Sequence, residues 1–184
     1  MSRRLLCIAL LLGAGLTPAA GVLARTAPES TPALRIEVFK AKRQLQVYSG
    51  HALVETYRIG LGADPLSPKR REGDRATPEG RYFISHKNPR SQYFLSLGIS
   101  YPGIEDAARG LRERRITKAQ YAAIVTADRQ RLPPPANTAL GGNLFVHGRG
   151  SSTDWTWGCV ALDDADMRKL YDAIEVGTPI TIHP

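Results

Sequence analysis

The stretch His147-Gly148-Arg149-Gly150-Ser151-Ser152-Thr153-Asp154-Trp155-Thr156-Trp157-Gly158-Cys159 is the part of the chain on which every other reading depends. Asn143 to Val146, just before it, reads as a short buried strand that delivers His147 at its end. Twelve residues later a cysteine directly follows a glycine. A thiol is a weak nucleophile until it loses its proton, and an imidazole is the commonest group to take it. The Gly–Cys step lets backbone N–H groups turn towards an incoming carbonyl oxygen. By pattern alone a His–Cys pair is more often structural than catalytic, so both readings stand. A metal site calls for more ligands at close spacing, so no metal is expected. His51, His86 and His183 stand isolated and read as surface or packing residues.

Downstream, Asp163 to Ile174 predicts a helix. Met167, Leu170, Tyr171 and Ile174 fall at helical spacing, Asp163 can cap it, and Asp164 and Asp166 favour its positive end. Gly177-Thr178-Pro179 ends it, and Ile180 to Ile182 forms a last strand. Upstream, Leu34, Ile36 and Val38 alternate with polar neighbours, as do Leu45 and Val47. Two half-buried strands joined by the basic turn Lys40-Ala41-Lys42-Arg43 fit this pattern. A third apolar stretch runs from Leu53 to Leu61, and residues 63–75 follow as a loop whose charges read as solvated surface. Thr77-Pro78-Glu79-Gly80 suits a tight turn, followed by a strand from Arg81 to Ile84 and another from Tyr93 to Tyr101. Residues 103–142 read as a helical insertion, with Thr117 and Gln120 forming a capping box and Pro133-Pro134-Pro135 closing the segment. The sum is a mainly β domain with one or two helices.

The chain has 184 residues, of which 42% are hydrophobic, enough for one ordinary domain and against wholesale disorder. At the N-terminus, Arg3 and Arg4 precede an apolar run from Leu5 to Leu16 and then small residues. This reads as a signal peptide, residues 1–24, cleaved after Ala24 or near Ala19 or Ala20, with an uncleaved anchor as the alternative. Residues 25–33 form a short lead-in to a domain over 34–183. Cleavage takes away two arginines and lowers the formal charge from +8 to +6. It also removes Cys7 and leaves Cys159 alone, in a compartment where an unpaired thiol needs a reason. The basic surface suits an anionic environment; nothing points to nucleic acid, and oligomeric state is not legible.

The segment His147-Gly148 followed by Thr156-Trp157-Gly158-Cys159 resembles the signature of the L,D-transpeptidase (YkuD) catalytic domain family. Thr77-Pro78-Glu79-Gly80-Arg81-Tyr82 is similar to a second stretch of that family. The resemblance implies a β-sandwich-like domain acting on peptidoglycan stem peptides at the cell envelope. In it Cys159 is the nucleophile towards the diaminopimelate carbonyl and His147 the general acid and base. Gly158, Trp157, Thr156, Gly148 and Arg149 are candidates for oxyanion or substrate contacts, and no cofactor is implied. Trp157 stands where the family commonly has His, and Ala161 where it commonly has Arg or Asn. The segment around Cys159 is similar instead to the YafK-like branch, some of whose members cut the link between lipoprotein and peptidoglycan. Transfer to an amine, hydrolysis as an amidase or carboxypeptidase, and a non-catalytic peptidoglycan-binding module are therefore the three readings. An exposed thiol has no use in the third.

Other residues of the stretch have two readings each. Asp154 either orients His147 or pairs with Arg149. Ser151, Ser152 and Thr153 build the loop. Trp155 and Trp157 pack or wall a groove. Arg109, Arg112, Arg114 and Arg115 read as a solvated surface.

Overall fold

In a computed structural model the described residues are 33–184, so the expected signal peptide and nearly all of the lead-in lie outside them. Eight strands and three helices follow in chain order: β1 (Leu34–Phe39), β2 (Gln44–Ser49), β3 (Ala52–Arg58), β4 (Gly80–Ser91), β5 (Phe94–Ile99), α1 (Ile104–Arg112), α2 (Lys118–Arg129), β6 (Phe145–His147), β7 (Val160–Ala161), α3 (Asp164–Ala173) and β8 (Pro179–His183). The strands form one curled sheet in the order β3-β2-β1-β8-β4-β5-β6-β7. β4 is its hinge. Residues 80–83 pair with β8, and from Ile84 onwards β4 pairs with β5. One core then joins both halves, from Ile36 and Val38 of β1 to Leu95 and Leu97 of β5.

The expected alternation in β1, β2 and β8 holds: Ile36, Val38, Leu45, Ile180 and Ile182 all point into the core. Leu53 and Val54 of β3 are instead half exposed, because β3 is an edge strand with no layer over it. β4 runs seven residues beyond its apolar stretch. Its polar second half, from Ser85 to Ser91, hid the strand from any pattern of alternation. In α3 the apolar stripe buries Met167, Leu170 and the following Ile174, as the spacing predicts.

The insertion holds two helices, one more than its sequence signals. α2 begins at the expected box, with Thr117 accepting from the Gln120 amide and the Gln120 side chain accepting from the Thr117 amide. α1 escaped notice because its buried residues are Asp106, Ala107 and Gly110, which form no apolar stripe. Ala107 packs with Ile116, Ile124 and Leu140 into a separate small core, and Gly110 lies against Leu140. The charge order was the available signal: Glu105 and Asp106 in the first turn, Arg109 and Arg112 in the last.

Candidate active site

β6 and β7 are parallel, with Val146 opposite Val160 and His147 opposite Ala161. Extending that register puts Cys159 level with Phe145. Val146 and Val160 are fully buried in the core, so side-chain alternation turns Phe145, His147 and Cys159 to the other face. Eleven residues of loop thus separate two groups that the sheet sets on one face of neighbouring strands. Both line a single cavity of about 300 Å³, with Gln92, Tyr93, Asn143, Trp155 and Trp157 around it.

The His147 ring is stacked on Tyr93, centroids 4.6 Å apart, and meets the edge of Trp155 at 5.6 Å. Its Nδ1 lies 2.6 Å from the Gly148 carbonyl oxygen. A carbonyl can only accept, so Nδ1 carries the proton and Nε2 keeps the lone pair a base needs. Burial lowers the imidazole pKa below its ordinary value, against the weaker pull of that carbonyl. Burial also pushes the Cys159 thiol up to about 11, against a hydrogen bond from the Phe145 backbone and the charge of Lys69. The resting pair is therefore a neutral thiol and a neutral imidazole.

The loop between the two groups is held by backbone-directed polar contacts. Gly158 has φ +118°, and a Cβ there would lie 2.6 Å from the Ala76 carbonyl oxygen, so only glycine fits. The Gly158 N–H donates to the Thr156 hydroxyl at 3.1 Å, which donates to the Cys159 carbonyl at 2.8 Å. Thr156 and Gly158 thus build the turn that presents the thiol, and the Gly158 amide is already engaged. Gly148 is buried, and a Cβ on it would strike the Asp164 carboxylate.

Three expectations need correction. Asp154 neither orients His147 nor pairs with Arg149: it holds the Arg43 guanidinium at 2.7 Å and accepts the Leu61 amide at 2.9 Å. That clamp ties the loop to the β1–β2 turn. Arg149 is exposed and absent from the cavity wall, and its backbone amide donates to Asp164 at 2.8 Å. Asp163 sits at the N-cap position, but its carboxylate accepts from the Ser151 amide at 2.9 Å instead of capping α3. The first residues of α3 hold the site loop because that loop is the one carrying unmet donors. Ser151 accordingly belongs to the loop frame. Trp155 and Trp157 do wall the cavity; Trp157 is 64% exposed, with the Arg75 guanidinium 4.3 Å above its ring.

The charges of residues 63–75 are not all solvated. Lys69 is 4% exposed and pairs with Asp74 at 2.8 Å. Lys40 is likewise buried, and its ammonium joins the Glu79 carboxylate at 2.6 Å and the Ser67 and Thr77 carbonyls. Arg109 also leaves the solvated set: it pairs with the buried Asp106 at 2.8 Å and donates to the Lys69 carbonyl. A second cavity, of about 160 Å³, lies between this loop and Asn143–Leu144, and Lys69, Trp157 and Cys159 line it. Lys69, Tyr93 and Asn143 are the site residues that sequence reasoning missed. Lys69 sits among other charges in a Pro- and Gly-containing loop, and no sequence signal marks it.

Residues 33–182 match the L,D-transpeptidase catalytic domain (YkuD) model, and the chain belongs to that family. Over 81 residues it is 33% identical to YafK of Escherichia coli (strain K12), which is named for the same L,D-transpeptidase group. That match covers 41% of this chain and 33% of the relative, so it spans a third of the relative's length. Among solved structures, Bd1075 of Bdellovibrio bacteriovorus superposes with TM-score 0.54 at 24% identity, over 84% of this chain and 49% of that one. The helical cell shape determining protein Pgp2 of Campylobacter jejuni superposes with TM-score 0.57 at 19% identity, over 84% and 48%. These likenesses establish the fold. The expected mainly β architecture stands, with three helices in place of one or two.

Proposed function

We propose that this chain is a peptidoglycan-modifying cysteine enzyme of the L,D-transpeptidase type, exported to the cell envelope by residues 1–24. The observation that carries the reading is the parallel β6–β7 register, which sets Cys159 and His147 on one face in one aromatic-walled cavity. His147 Nε2 takes the thiol proton as sulfur attacks the diaminopimelate carbonyl of a stem peptide. The tetrahedral oxyanion is met by backbone N–H groups of the turn, with the Cys159 amide as its donor, since Gly158 serves Thr156. Collapse breaks the carbon–nitrogen bond, and the imidazolium returns its proton to the leaving amine. An incoming amine then attacks the thioester, releases the thiol and yields the new amide. The amine belongs to another stem peptide or to an envelope lipoprotein.

The test uses purified protein with diaminopimelate-type tetrapeptide muropeptides and, separately, lipoprotein-linked peptidoglycan. Cross-linked dimers are expected from the muropeptides, and Cys159→Ala should form none. Shortened peptides or freed lipoprotein without transfer product would assign the same pair to hydrolysis, with water as acceptor. Activity surviving in Cys159→Ala would remove the nucleophile from the mechanism.

A further inference from the structure

The second cavity beside Cys159 has a charged wall that the proposed chemistry leaves unused. Lys69 is buried there, its ammonium donating to Asp74 Oδ1 at 2.8 Å and to the Arg71 carbonyl at 3.2 Å. Tyr101 presents its ring face to the same ammonium at 5.9 Å. An ammonium has three donors, and these two bonds engage two of them. Asp74 is shared more widely. It also accepts the Arg70 and Arg71 amides at 2.7 and 2.9 Å and the Ala76 amide at 3.2 Å. A carboxylate spread over four donors already closes the loop through backbone groups alone. Its one negative charge is shared among these four donors, and the third N–H of the ammonium makes neither of the two bonds named. Glu72, the other charged residue on this wall, is exposed, so water screens it more than it screens Lys69. The Lys69 backbone is itself pinned by Arg109, which the buried Asp106 holds. The result is a buried cation on the wall of a cavity that Cys159 also lines.

Burying an ammonium is costly unless a partner of opposite charge offsets the loss of water. We propose that Lys69 makes this cavity an anion-accepting subsite, which holds a carboxylate of the acyl donor beside Cys159. Lys69 is then a substrate-binding residue, and Asp74 positions it. The proposal rests on Cys159 being the nucleophile and names what lies next to it.

Alkylation of Cys159 at pH 8 by iodoacetate and by iodoacetamide, which differ in one negative charge, tests the subsite without any substrate. The iodoacetate-to-iodoacetamide rate ratio should exceed that of free cysteine in the same buffer by about fivefold, the scale of one nearby partly screened charge. Lys69→Arg should keep the excess and Lys69→Met should abolish it. A wild-type ratio no higher than that of free cysteine, or an excess intact in folded Lys69→Met, overturns the proposal. The wild-type comparison decides by itself if Lys69→Met does not fold. With muropeptides, amidating the donor's terminal and side-chain carboxylates in turn should raise KM for the wild type, and in Lys69→Met the free acid and the amidated donors should share one raised KM. Equal KM for every amidated donor and the free acid would remove the carboxylate role. An excess of iodoacetate reactivity without any turnover of muropeptides would overturn the proposed function and leave the subsite standing.

Discussion

Two walls enclose Cys159, and they are made of opposite materials. On the His147 side stand Tyr93, Trp155 and Trp157, and the cavity there is mostly apolar. On the loop side, Lys69 and Asp74 form a buried ion pair, with Lys40 and Glu79 anchoring the same loop one turn away. The aromatic wall desolvates thiol and imidazole and keeps both neutral. The ionic wall supplies the positive charge that lowers the thiol pKa from its other side. Apolar material raises the stakes of each charge nearby, because a low-dielectric site strengthens electrostatic interactions.

The largest expected effect removes the atom both walls serve. Cys159→Ala should abolish turnover, and His147→Gln should lower kcat by roughly 10²–10⁴, the usual share of a general base. Steady-state assays with muropeptides measure both. Next comes the ionic wall. Asp74→Ala strands the buried Lys69 ammonium and should cost about 3–5 kcal/mol in urea unfolding. The partly exposed clamp between Asp154 and Arg43 should cost less, about 1–3 kcal/mol for Asp154→Ala, through the orphaned Leu61 amide. If the two losses prove equal, burial does not set the difference in strength between these two ion pairs.

The pH dependence sharpens the contrast further. The His147 pKa is lowered, so the ring stays a neutral base down to a pH below its ordinary 6.5. The Cys159 pKa is raised to about 11, so the thiol keeps its proton until strongly alkaline pH. Turnover needs one proton shared by the pair. It should therefore rise with pH through the depressed imidazole value, stay flat, and fall only near pH 11. Iodoacetamide labelling of the free enzyme should climb towards that same high value; a midpoint below 8 would mean a standing thiolate and sink the neutral-pair account. The smallest effect belongs to the exposed rim. Trp157→Ala should change stability by no more than about 0.5 kcal/mol while raising KM, read from parallel melts and kinetics.

The aromatic wall was half legible in the chain. Trp155 and Trp157 lie inside the motif, whereas Tyr93 comes from the β4–β5 hairpin and gave no sign of its role. The ionic wall was not legible at all. Lys69 and Asp74 look like any charges in a Pro- and Gly-containing loop, and their burial depends on α1, which composition also concealed. Asp154 and Asp163 misled for a related reason. A carboxylate beside a histidine or at a helix start has a local role by default, but unmet amides across the fold compete for it, and here they win.

Local information was sufficient where a side chain's task is set by its immediate neighbours. The strand alternation of β1, β2 and β8, the α3 stripe, the α2 capping box and the His–Gly and Gly–Cys steps are all of this kind, and periodicity or backbone sterics dictates each one. Tertiary structure alone decided which charges are buried, which carboxylate meets which amide, and that the thiol has a cation on its far side. Those outcomes turn on desolvation, and the water a group loses is set by whatever packs over it from distant parts of the chain.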